Sequence, residues 1–138
     1  MKTVFLDTSF SVALVTTKDD YHIQAVRLSE RLKQDGASIV TTQLIIAEIG
    51  SYLSNRLDKR AALLLFDLID VDPQFEVVPI STELLKKGIE LFRQRLDKDW
   101  SLVDCISMIV MQERGIVDAL TTDHHFRQAE FRALLLED

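Results

Sequence analysis

Short apolar runs of strand length alternate with helix-spaced stretches along this chain, and that alternation narrows the fold more than any other feature. Residues 4–6, 38–41, 75–80 and 117–122 read as strands, the second β-branched at Ile39, Val40 and Thr41, the third interrupted by Pro79; residues 131–136 read as a fifth. Between them, a short helix starts at Thr8, and Tyr21, Ala25, Leu28 and Leu32 recur at helical spacing until Gly36 stops them. Further helices are expected over 43–55, with Ile45, Ile49 and Tyr52 facing inward, and over 61–69. Ser81 opens another, carrying Leu85, Ile89, Phe92 and Leu96, and Ser101 opens an apolar one over 102–111, ended by Gly115. Strands alternating with helices imply an α/β fold with a central parallel sheet of four or five strands, covered on both faces. Ligands in such folds bind beyond the carboxyl ends of the strands.

The chain has 138 residues, with no Gly/Ser-rich linker and no repeat, so a single domain over residues 1–138 is expected. No apolar run approaches the roughly 18 residues of a membrane span, and Asp7 cuts the N-terminal apolar stretch too short for a signal peptide. The lone Cys105 has no internal disulfide partner and sits in an apolar segment, where packing is its ordinary role. A cytoplasmic protein is the expectation.

Against this background four carboxylates stand out. Asp7 ends the first strand-like run and Asp123 closes the run Ala119-Leu120-Thr121-Thr122. Glu48 interrupts an apolar helix face among Leu44, Ile45, Ile49 and Tyr52, and Asp104 is the only charge between Asp99 and Glu113. Each has an ordinary structural explanation: Asp7 as a helix N-cap, Glu48 reaching to solvent, Asp104 pairing with Ser101, Asp123 opening a turn. Four together are harder to explain that way. Buried carboxylates are neutralised, paired or bound to a cation, and none of these has an evident Lys or Arg partner nearby in sequence.

Hard oxygen ligands on separate elements suit Mg²⁺ or Mn²⁺, and those ions suit phosphoryl chemistry. The net charge of −6 opposes nucleic-acid binding over the whole surface, but the four acids supply −4 of it. Basic residues cluster at Lys86, Lys87, Arg93, Arg95 and Lys98, and at Arg56, Lys59 and Arg60, where solvated helix faces explain them most simply. Other chemistries fit less well. There is no P-loop, no Cys/His zinc spacing and no G-x-S-x-G elbow. Adjacent His124 and His125 should point apart, which argues against a chelating pair. Trp100 reads as an anchor for the helix start rather than a base-stacking platform.

Leu6-Asp7-Thr8-Ser9, Thr42 through Glu48, Trp100-Ser101-Leu102-Val103-Asp104-Cys105 and Leu120-Thr121-Thr122-Asp123-His124-His125-Phe126 resemble the PIN-domain ribonucleases. Within them, the chain looks most like the VapC-type toxins of bacterial and archaeal toxin–antitoxin pairs, from Lys2 to about Leu135. The resemblance implies a three-layer α/β/α sandwich and metal-dependent RNA cleavage. It carries metal-binding roles onto Asp7, Glu48, Asp104 and Asp123, with Thr8 or Ser9, Ser101 and Thr121 as supporting hydroxyls. It further implies an RNA substrate and a cognate antitoxin protein. A non-toxin PIN nuclease of RNA maturation or turnover, or an inactive RNA- or protein-binding PIN module, are the alternatives. One departure is Ala129-Glu130-Phe131, where relatives often carry Gly in the middle.

A homodimer is expected as well. Leu63, Leu64, Leu65, Phe66 and Leu68 are more apolar side chains than one inward stripe needs, and the resemblance favours a dimer over a helix buried on all sides.

Overall fold

The computed structural model describes residues 2–137. Its strands are β1 (Thr3–Leu6), β2 (Ser38–Thr42), β3 (Phe75–Val78), β4 (Asp118–Leu120) and β5 (Arg132–Ala133). They form one parallel sheet in the order β3-β2-β1-β4-β5. The central strand, β1, is fully buried at Val4 and Phe5, as expected where helices cover both faces.

Helices α1 (Thr8–Val15), α2 (His22–Gln34), α3 (Gln43–Tyr52) and α4 (Arg56–Val71) contact one another on the first half of the chain. Helices α5 (Thr82–Gln94), α6 (Leu102–Arg114) and α7 (His124–Gln128) form a second group. The result is a three-layer α/β/α sandwich. Helices α5 and α6 approach closely: a Cβ on Gly88 would stand 2.3 Å from Ile106 Cγ1. Among the described residues no helix is long and apolar enough to cross a membrane.

The chain leaves β1 toward β2 on one side and returns to place β4 on the other. This reversal of direction falls between β1 and β4, where open α/β sheets form their ligand crevices. Asp7 follows β1 directly, and its N–H donates to Leu120 O at 3.2 Å, so the two strand ends are tied together at that point.

Several expectations change in detail. The fifth strand is only two residues long; Leu134–Leu136 form a 3-10 turn. Tyr52 does not face inward: Ile45 and Ile49 are buried, but Tyr52 is 68% exposed. Helix α4 is not buried on all sides. It buries Ala62, Leu65 and Ile69 and leaves Leu63, Leu64, Leu68 and Val71 exposed. Gly115 ends α6 at φ 67°, the left-handed conformation that glycine adopts without cost.

Asp7 and Asp104 are buried, Glu48 and Asp123 half-buried, and a third buried carboxylate escaped the sequence reading. Asp118 begins β4, at the opposite end of the strands from Asp7. It lies 3.2 Å from Lys2 Nζ and 3.3 Å from Arg132. These are ion-pair contacts, since Oδ1 has no partner in hydrogen-bonding geometry. Asp118 thus has the basic neighbours that a structural acid needs.

Candidate active site

Thr8 and Ser9 open α1 directly after β1, and Thr121 to Asp123 lead from β4 into α7. Across this gap the hydroxyls converge on Asp7. Thr121 Oγ1 donates to Asp7 Oδ2 at 2.8 Å and Ser9 Oγ donates to the same oxygen at 3.1 Å. With both protons committed to the carboxylate, each hydroxyl oxygen accepts from the main chain. Ser9 Oγ takes the Thr122 N–H at 3.0 Å, and Thr121 Oγ1 takes the Asp123 N–H at 2.9 Å. Asp7 occupies the N-cap position of α1 but makes no side-chain cap; its oxygens serve this network instead.

Glu48 comes from α3 and accepts a hydrogen bond from the Thr8 hydroxyl. Asp104 comes from the first turn of α6, in a complete capping box. Its N–H donates to Ser101 Oγ at 3.0 Å, and its Oδ2 accepts the Ser101 N–H at 3.1 Å. The helix-cap explanation of Asp104 is therefore correct, yet it does not compete with a place in the site, because the same residue lines the cleft. Asp123 caps α7, accepting the His125 N–H at 2.9 Å.

All four acids, with Thr8, Ser9 and Ser101, line one cleft of about 690 Å³; Thr121 is wholly buried behind Asp7. Asp19, Asp20 and Asp99 also line it, giving seven carboxylates and not one Lys or Arg. The basic clusters lie elsewhere, on solvated faces where Lys87, Arg93 and Arg95 pair with neighbouring acids. Burial pushes the Asp7 carboxyl up to about 6, the Thr121 hydrogen bond opposing the rise and the Asp104 charge adding to it. An all-oxygen donor set, one member of which resists ionisation for want of a counter-charge, fits a hard divalent cation. No three of the four acids form a set with oxygens all within 4.8 Å among the described residues. That spacing suits an ion that keeps several waters, as Mg²⁺ does.

The sequence reading missed Asp19, Asp20 and Asp99, which are ordinary polar-loop residues until the fold gathers them. It also set His125 aside, and here the structure corrects it. His125 Nδ1 lies 3.0 Å from Asp104 Oδ2 and 3.2 Å from Asp123 Oδ1. With carboxylate oxygens on both sides, Nδ1 is assigned the hydrogen. Adjacent helix-start residues did not diverge: the His124 and His125 ring centroids are 4.6 Å apart. Trp100 is an anchor as expected, buried, with Nε1 donating to Gln128 Oε1 at 2.9 Å and the Arg95 guanidinium over its ring. Cys105 is fully buried and its thiol is raised by that burial, which leaves it a packing residue.

The chain is 28% identical over 128 residues to the 23S rRNA-specific endonuclease VapC20 of Mycobacterium tuberculosis strains CDC 1551 and H37Rv, covering 93% of this chain and 95% of the relative. The crystal structure of M. tuberculosis VapC20, described as a sarcin-ricin loop cleaving toxin, superposes with a TM-score of 0.80 at 27% identity, covering 93% of this chain and 95% of that one. FitAcB from Neisseria gonorrhoeae shares the fold, with a TM-score of 0.65 at 14% identity and 94% coverage of both chains. The sequence profile of the PIN domain matches residues 4–132. With that match reaching into all five strands and covering all four acids, the chain belongs to the PIN-domain family.

Proposed function

We propose that this chain is a single-domain, divalent-metal-dependent endoribonuclease, the cytoplasmic toxin of a toxin–antitoxin pair. The observation that carries the reading is the cleft at the sheet's switch point, lined by seven carboxylates and no cation. Such a cleft repels a phosphodiester unless positive charge is brought in from solution.

Asp7, Glu48, Asp104 and Asp123 would hold Mg²⁺ or Mn²⁺. When bound, the ion supplies charge neutralisation at a phosphodiester and a water of lowered pKa. The chain's own contribution is orientation. Thr121 and Ser9 fix one oxygen of Asp7, Thr8 fixes Glu48, and the Ser101 main chain fixes Asp104. The name of the M. tuberculosis relative makes 23S ribosomal RNA the first substrate to test. The partner proposed for control is an antitoxin, and the exposed leucines of α4 are proposed to seat a second copy of the chain.

The test is cleavage of 23S rRNA by chelator-stripped protein, with and without Mn²⁺ or Mg²⁺. Cleavage is expected only with metal, and to be lost in Asp7→Asn and Asp123→Asn. Undiminished cleavage in chelator by the pure wild type would sink the metal mechanism.

A further inference from the structure

The histidines at the cleft mouth form a second constellation with different donor chemistry. One ligand atom each from Asp123, His124 and His125 lies within 4.8 Å of the other two, and no other such trio occurs among the described residues. His124 Nδ1 stands 3.8 Å and His125 Nδ1 3.2 Å from Asp123 Oδ1. The two rings are tilted by 54°. The His124 side chain is 69% exposed and open to solution ions. His125 Nδ1 also lies 3.0 Å from Asp104 Oδ2; an ion taken up beside Asp123 Oδ1 replaces the hydrogen at Nδ1, which moves to Nε2, and the neutral ring coordinates through Nδ1.

One carboxylate oxygen with two imidazoles is a borderline donor set. It favours Zn²⁺, Ni²⁺ or Cu²⁺ over Mg²⁺, which prefers oxygen alone. We propose that Asp123, His124 and His125 form a binding site for a zinc-class divalent ion, sharing only Asp123 with the acids assigned above to Mg²⁺ or Mn²⁺. A regulatory consequence, which rests on the nuclease reading, is that a zinc-class ion held there withdraws Asp123 from that set and inhibits cleavage.

Calorimetric titration of Zn²⁺ into the chelator-stripped full chain tests the site, with the visible spectrum of Co²⁺ as a second probe. His124→Ala should weaken zinc binding by about tenfold or more, the scale of loss when a metal site's supporting groups are removed. His22→Ala should leave it unchanged, because His22 Nδ1 is engaged 2.8 Å from Ala13 O. In zinc-free buffer His124→Ala should cleave RNA with Mg²⁺ as the wild type does, and Zn²⁺ should inhibit the wild type but not the variant. Equal zinc affinity in wild type and His124→Ala, or no binding at millimolar zinc, overturns the site. If zinc binding depends on His124 while the wild type cleaves no RNA in either Mg²⁺ or Mn²⁺, the nuclease reading falls and the zinc site stands.

Discussion

Thr121 donates to Asp7 across 114 residues of sequence, and this 2.8 Å bond joins the ends of β1 and β4, the two parallel strands between which the strand order reverses. It stabilises the ionised form of Asp7 but does not outweigh burial, which leaves the carboxyl at about 6.

The first prediction follows from that value. A displacement from 3.8 to about 6 corresponds to about 3 kcal/mol, at about 1.36 kcal/mol per pH unit. The folded state holds the proton more tightly than the unfolded state, so Asp7 costs stability as pH rises from about 4 to about 6, and the cost is constant above that. In chelator, Asp7→Asn should therefore gain on the wild type by about 2.4 kcal/mol between pH ~4 and pH ~7. Urea midpoints at the two pH values measure this, and a difference that stays flat contradicts it.

Asp104 caps α6 and, on the nuclease reading, holds metal, and two substitutions separate these roles. Asn keeps an acceptor for the Ser101 N–H, so Asp104→Asn should cost no more than about 1 kcal/mol of stability. Its cleavage in Mn²⁺ should fall by at least about a hundredfold, on the scale of losing one essential electrostatic group. Asp104→Ala loses the capping-box acceptor as well and should cost about 2 kcal/mol. Retained activity per folded molecule in Asp104→Asn would make this residue purely structural.

Glu130 sits at φ 71°, a left-handed conformation that costs a side-chain-bearing residue about 1–2 kcal/mol. Glycine removes that strain but adds about 0.4–1 kcal/mol of chain entropy to the unfolded state. The strain is the larger effect, so Glu130→Gly should raise stability by roughly 0.5–1 kcal/mol. A lowered melting temperature would reverse the sign.

Leu64 is 72% exposed at the middle of the apolar outer stripe of α4. For the proposed homodimer, Leu64→Glu should give a particle of 15.8 kDa by light scattering at micromolar concentration, where the wild type gives twice that mass. A wild type that is itself monomeric removes the dimer.

The fold was readable because its strands are short and bounded, β2 being β-branched at Ile39, Val40 and Thr41, and because the helix stops at Gly36 and Gly115 fall where periodicity ends. What failed was decided by tertiary context. Residues 134–136 are as apolar as a strand but form a 3-10 turn, with Leu135 buried and its N–H donating to Thr121 O just past β4. Tyr52 keeps helical phase with Ile45 and Ile49, yet α3 ends at that residue, where the cleft rather than the core lies alongside. For the site, the four acids were legible because each interrupts an apolar pattern. Asp19, Asp20 and Asp99 interrupt nothing. Asp118, which does, was overlooked; the structure shows it to be the one with basic neighbours, Lys2 from before β1 and Arg132 from β5.

The four acids enter the cleft from positions 7, 48, 104 and 123, and the walls of Asp7 need Thr121 beside them. On the nuclease reading, a growing chain on the ribosome is harmless until Asp123 has been added, because no shorter product contains the full set of acids. A cell making this protein therefore has the time between the translation of Asp7 and that of Asp123 in which a partner can be made ready before the first cutting-competent molecule exists.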